Sequence, residues 1–190
     1  MSSIKPVDAN YRYIAVANEL NVRIGLRQQL LALYTTLVLG LLAALVALRP
    51  DAGGPRVPVE WLALGFPVAS LCLVMLNYKT ERSLTHLRRF LAELERLGNE
   101  PQELPGYNAD PAWAAGTNDA RRLHDYSAAL LVAAAHAVAL GALWRIYPGE
   151  TGWLAPAPWI CGLSGLAAVV ALLWLARWRF RPVGRKTAAA

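Results

Sequence analysis

Cysteine, histidine and charge are all scarce in this sequence, and each scarcity removes a class of function. The two cysteines, Cys72 and Cys161, both fall in long apolar runs. Measured from the shared outer ends of their helices they lie ~20 Å and ~8 Å deep at 1.5 Å per residue, too far apart in height for a disulfide within one subunit. They read as small buried residues. The three histidines have no cysteine or carboxylate at metal-ligand spacing: His86 and His124 sit among charges, and His136 stands alone in an apolar run. Neither a metal nor a cofactor is expected. The chain also lacks a glycine-rich phosphate loop, an HExxH helix and a nucleophile in a recognisable motif. Ser164 in Gly162-Leu163-Ser164-Gly165 reads as packing surface, so no catalytic residue is assigned and no enzyme is expected.

What is present is apolar. Hydrophobic residues make up 56% of the chain and charged ones 17%, far from a disordered or ordinary soluble composition. The stretch Val59 to Leu97 organises the rest. Its first half, Val59 to Tyr78, is almost wholly apolar and long enough to cross the ~30 Å hydrocarbon core as a helix. The second half, Lys79 to Leu97, is charged, but Leu84, Leu87, Leu91 and Leu94 recur at steps of three and four and form one stripe. With no glycine or proline between Val68 and Leu97, the whole stretch reads as one helix of roughly 58 Å that spans a membrane and stands out of it.

The remaining chain repeats this theme. A polar lead, Met1 to Val7, lacks the apolar core of a cleaved signal peptide. Asp8 is then placed to cap a helix whose Ile14, Ala17, Leu20 and Ile24 share a face and which runs unbroken into a first span, Leu26 to Leu48. In that span Gly40, Ala43, Ala44 and Ala47 let a neighbouring helix approach closely. A turn rich in proline and glycine, Arg49 to Pro58, leads to Trp61 at interfacial depth, and Pro67 interrupts the second span near its outer third. Gly98 to Asp119 reads as a surface linker, with Pro111 to Ala115 around Trp113 lying on the membrane surface in one version. Asp119 is expected to cap a short helix leading into an alanine-rich third span, Tyr126 to Tyr147. After a second turn carrying Trp153, the fourth span, Trp159 to Trp178, presents Gly162, Gly165 and Ala168 on one face.

The basic residues are unevenly divided by these spans. Lys5, Arg12, Arg23, Arg27, then Lys79, Arg82, Arg88, Arg89, Arg96, Arg121 and Arg122, and finally the tail from Arg177 to Lys186 fall on one side, against Arg49, Arg56 and Arg145 on the other. By the positive-inside rule both termini and the middle segment are cytoplasmic and the two short loops lie outside. The asymmetry accounts for most of the +6 net charge, so no specific nucleic-acid binding is expected.

Two features carry functional expectations. His136 lies mid-span, where an ionisable group is costly and functional by default; the alternative is a neutral imidazole bonded to a neighbouring carbonyl or to Tyr34, Thr35 or Thr36. No acidic residue lies inside a span to complete a proton relay with it. The leucine stripe must be covered, either by the helix preceding the first span or as a seam between subunits or with a cytoplasmic partner.

The run Glu19-Leu20-Asn21-Val22-Arg23-Ile24-Gly25-Leu26-Arg27-Gln28-Gln29, leading straight into a span, resembles the start of small bacterial membrane proteins with two or four spans. Some of these are similar to proteins encoded beside anti-phage signalling or toxin and immunity systems. The resemblance implies a bacterial inner membrane and, for function, an effector or an immunity protein.

Together these readings give an all-α membrane protein with four transmembrane helices in two hairpins and long cytoplasmic extensions of the first and second spans. Residues 1–97 form the first hairpin with its extensions, 98–125 a cytoplasmic linker, and 126–190 the second hairpin and basic tail. The expected role is a non-enzymatic homo-oligomer in the lipid bilayer that acts with a cytoplasmic protein partner, in its sharpest form as a pore-forming or membrane-perturbing effector. The alternatives are a membrane-bound immunity or scaffold protein and a small transporter or proton path through His136. The residues expected to matter are His136, the packing positions Gly40, Ala44, Gly162 and Gly165, and the seam Leu84, Leu87, Leu91 and Leu94.

Overall fold

The computed structural model describes residues 8–49, 59–97, 104–148 and 155–182. Among these, all regular structure is helical: α1 (Ala9–Ala47), α2 (Val59–Ala63), α3 (Gly65–Leu97), α4 (Pro111–Ile146) and α5 (Pro156–Leu175). Four stretches, Ala9–Ala47, Trp61–Leu97, Pro111–Ile146 and Pro156–Leu175, are long and apolar enough to cross a membrane. This is compatible with a multi-pass membrane protein. Residues 50–58 and 149–154 of the two turns, with Trp153, the lead before Asp8 and the tail residues Arg185 and Lys186, lie outside the described residues.

Helix α1 begins as its sequence predicts. The Asp8 carboxylate accepts the Asn10 N–H at 3.4 Å and its carbonyl accepts the Arg12 N–H at 3.2 Å, and no glycine or proline kink interrupts the helix to Ala47. The stretch from Val59 is divided where one helix was expected. Pro67 has no N–H to give the Ala63 carbonyl, so the chain turns at Leu64 before α3 resumes at Gly65. The third long helix starts earlier than expected, at Pro111 rather than near Asp119. Asp110 accepts the Ala112 N–H at 2.8 Å and Pro111 occupies the first helical position, a pairing that starts a helix without wasting a donor. Helix α5 likewise opens on Pro156, after Ala155 in extended conformation.

The chain divides into two compact units. One comprises residues 28–78 and 122–178, the other residues 1–27, 79–121 and 179–190. In the first unit each helix turns one face inward at helical spacing: Tyr34, Val38 and Leu45 of α1; Phe66, Ala69, Ser70 and Leu73 of α3; Ala128, Val132, Ala135 and Ala139 of α4; Cys161, Gly165, Ala168 and Leu172 of α5. Some polar groups at this core are paired with each other or with backbone. Tyr34 and Ser70 hydroxyls are 3.0 Å apart, and the Tyr147 hydroxyl donates to the Leu45 carbonyl at 2.9 Å. The outward faces carry Leu33, Leu37, Val46, Val68, Leu71, Met75, Leu130, Val138, Leu163, Leu166 and Trp174, all exposed, a surface suited to lipid and unsuited to water. Cys72 lies on this outward side rather than buried as its sequence context suggested, because Leu73 and Ala69 take the inward positions of that turn; Cys161 is buried.

Candidate functional site

In the second unit the charged half of α3 turns inward a face that is partly ionic. Glu81, Leu84, Thr85, Arg88, Leu91 and Ala92 are all buried and recur at three- and four-residue steps. The leucine stripe is therefore covered at Leu84 and Leu91, while Leu87 and Leu94 stand half-buried at its margin. The centre of the buried face is rotated from the leucine line toward Glu81, Thr85 and Arg88.

Glu81 is held between two arginines. Its Oε1 lies 3.2 Å from Nη1 of Arg121 on α4, and its Oε2 lies 3.6 Å from Nη1 of Arg27 on α1. All three side chains are buried. The Arg121 contact has hydrogen-bond length and the Arg27 contact is longer, so Arg121 carries more of the pairing. Arg88, two turns further along α3, forms no ion pair or hydrogen bond among the described residues although it is 8% exposed. Burial is the main cause pushing its pKa below the usual guanidinium value; Glu81 and Tyr107 oppose that shift and Arg121 and Arg27 add to it.

A second carboxylate fastens the segment before α4. Glu95 accepts the backbone N–H groups of Asn108 (2.8 Å) and Ala109 (2.9 Å), the Asn108 side-chain amide (2.8 Å) and the Tyr13 hydroxyl of α1 (3.1 Å). Gly106 passes so close that a Cβ there would sit 3.0 Å from Oε2 of Glu95. Asn118 clasps the segment after α5, donating from its amide to the Phe180 carbonyl at 2.9 Å and accepting the Phe180 N–H at 3.2 Å.

The residues expected to matter from sequence are distributed between the units. His136 is buried, Nδ1 lies 3.0 Å from the Val132 carbonyl one turn back, and Phe66 meets its ring edge-on at 6.4 Å. Because a carbonyl only accepts, Nδ1 carries the proton, leaving Nε2 an acceptor with no hydrogen-bond partner. Its bond goes to a carbonyl, not to Tyr34, Thr35 or Thr36. The threonines instead donate to Leu31 and Ala32 carbonyls of their own helix. Gly165 packs directly on the imidazole: a Cβ there would lie 2.5 Å from Cγ and Cδ2 of His136. Gly162 makes a looser approach, with Leu140 at 3.8 Å, and Gly40 has nothing within 4 Å. Ala44 is half-buried.

This geometry sets an expected result. Gly165→Ala should lower stability by about 1–3 kcal/mol, because ring and new methyl overlap and the helices must part. The double variant Gly165→Ala/His136→Ala should recover most of that loss, read as the midpoint of thermal unfolding in detergent. Full additivity of the two losses would mean that the two residues do not press on one another.

Sequence reading missed the pairing of Glu81, Arg27, Arg121 and Glu95, because Glu81, Arg121 and Glu95 sit in runs of mixed charge that read as a solvated face and Arg27 reads as the basic flank of a span. The available signal was the four-three-four-three spacing of Glu81, Thr85, Arg88, Ala92 and Glu95 beside Leu84 and Leu91, which puts those charges on the covered face. No protein-family model, no curated protein and no solved structure matches this chain.

Proposed function

We propose that this chain is a non-enzymatic, multi-pass inner-membrane protein that self-associates through its first span and presents its charged helical unit to a cytoplasmic partner. The observation that carries self-association is the outward face of α1. Ala32, Thr36, Gly40, Ala43 and Ala47 share one side of the helix at steps of three and four, all exposed, and nothing lies within 4 Å of the Gly40 position. In lipid, a groove of small residues lets a second helix approach closely and gain dispersion contacts and weak Cα–H···O bonds that bulky side chains would prevent. The same helix is the least enclosed of the four: 17% of its most apolar stretch is buried, against 39% for the third. Paired α1 helices would cover this face.

An orientation with both termini and residues 98–125 in the cytoplasm follows from the division of arginine and lysine, and the hairpin arrangement from the short turns. The pore version of the effector reading is less favoured by the side-chain arrangement, since Ser70 and His136 point into the monomer core and the outward faces are apolar. A scaffold or immunity protein that holds one partner fits that surface better.

The test uses substitutions that separate folding from association. Gly40→Leu should leave the fold intact, because its side chain enters open space, but should shift detergent-purified protein from oligomer to monomer in mass measurements. Gly165→Leu should instead damage the fold itself. Wild-type protein that is monomeric across the accessible concentration range, or Gly40→Leu protein that keeps the wild-type mass, would remove self-association from the proposal.

A further inference from the structure

Arg88 and Thr85 present a pattern that the helix packing leaves incomplete. Both are buried, both lie on the face of α3 that carries Glu81, and they stand one turn apart. The Thr85 hydroxyl oxygen is sealed from solvent without a hydrogen-bond partner. Among the described residues Arg88 has no carboxylate within ion-pair reach, and both oxygens of Glu81 face Arg121 and Arg27. A buried guanidinium with no counter-charge and a buried hydroxyl with no partner each cost free energy, and two on adjacent turns of one face call for a shared acceptor. The nearby Arg121 and Arg27 reinforce the demand, since both add positive potential at Arg88.

We propose that Arg88 and Thr85 form the binding site for a phosphate-type oxyanion, either the headgroup of an anionic phospholipid or a soluble phosphate. The chemistry matches the pair. A guanidinium donates two parallel N–H bonds to two oxygens of a tetrahedral phosphate, and the Thr85 hydroxyl one turn away, covered in this structure, donates to a third when the covering side chains yield to the anion. None of the Arg88 nitrogens is among the side-chain atoms sealed without a partner, so its donors remain reachable from outside while its stem is covered. The site is independent of self-association through α1, so either proposal can fail without the other.

The experiment uses the full chain purified in a zwitterionic detergent free of phosphate. Thermal unfolding is followed with phosphatidylglycerol added to the micelles, with inorganic phosphate at millimolar concentration, and with phosphatidylcholine or chloride as matched controls. Wild-type protein is expected to gain stability with phosphatidylglycerol, with phosphate, or with both. A gain with the lipid alone assigns the site to a headgroup, and a gain with inorganic phosphate assigns it to the oxyanion itself. Arg88→Gln should weaken the response by about tenfold in apparent affinity or more. Without any anion it should be at least as stable as wild type, because it removes an unpaired charge, whereas a purely structural Arg88 would make it less stable. Thr85→Val, nearly isosteric, should weaken binding without unfolding the protein and serves if Arg88→Gln fails to fold. No response to either anion, or a response that survives intact in Thr85→Val and Arg88→Gln, would overturn the proposal.

Discussion

Glu81→Ala is expected to be the most damaging single substitution in the charged unit, with a loss of about 3–5 kcal/mol. It strips the shared carboxylate from Arg121 at 3.2 Å and Arg27 at 3.6 Å, and both guanidiniums are buried. The penalty comes from the charges left behind more than from the attraction lost. Removing the arginines one at a time should therefore be milder and unequal. Arg121→Met should cost more than Arg27→Met, because only the Arg121 contact is short enough for a hydrogen bond. Replacing all three with apolar residues of similar volume should restore much of the loss, since a buried triad is expensive to dehydrate and is often matched by good packing. Unfolding midpoints in detergent, compared across this series, check the order. If Glu81→Ala is no worse than Arg27→Met, Glu81 is not the hub of the cluster.

Glu95→Ala is the second large effect, with an expected loss of about 2–4 kcal/mol and a local signature. Four donors converge on that carboxylate, two of them backbone N–H groups in the segment 104–110 that have no helix to enter. Their release should open the segment to protease before the rest of the chain unfolds. Glu95→Gln should rescue little, because its amide would place a donor against donors. Tyr13→Phe should cost only about 0.5–1.5 kcal/mol, one neutral-to-charged hydrogen bond in a partly exposed setting. Tyr13 also gives the interaction a pH edge. Burial first, then the Glu95 charge and hydrogen bond, raise its pKa above the usual 10.0. The folded state thus holds the phenol proton more tightly than the unfolded chain does. Its contribution is fully present below 10.0 and is lost as pH rises from there through the raised value. Tyr13→Phe should show less of that alkaline loss.

The four apolar runs could be read because lipid solvates length and composition, which sequence displays directly. The start of α1 at Asp8 was equally plain, since a capping side chain acts on its own next turn. Two boundaries were misjudged although local rules existed for them. Asp110-Pro111 is as clear a helix start as Asp8, yet the glycine, proline and asparagine around it argued for a loop, and the break at Leu64 was hidden by apolar residues on both sides of Pro67. The ionic contacts were of a different kind. Whether Glu81 faces water or Arg121 depends on pairing between helices distant in sequence, and a helix of alternating charge looks alike in both cases. His136 stood out in the sequence because an ionisable group in a long apolar run is rare; its packing on Gly165 depends on which face of α5 turns toward α4, and no spacing within one helix states that.

Four crossings, with residues 98–125 and both termini on the basic side, is the premise that unites lipid on the outward faces with a partner at the charged unit. Side-specific labelling of single cysteines, introduced after Cys72→Ser and Cys161→Ala, tests it most directly. An impermeant thiol reagent applied to intact cells should modify Gly54→Cys and Gly149→Cys, and should reach Ala115→Cys and Lys186→Cys only once the membrane is opened. Labelling of Ala115→Cys in intact cells, or of Gly149→Cys only after the membrane is opened, would contradict it.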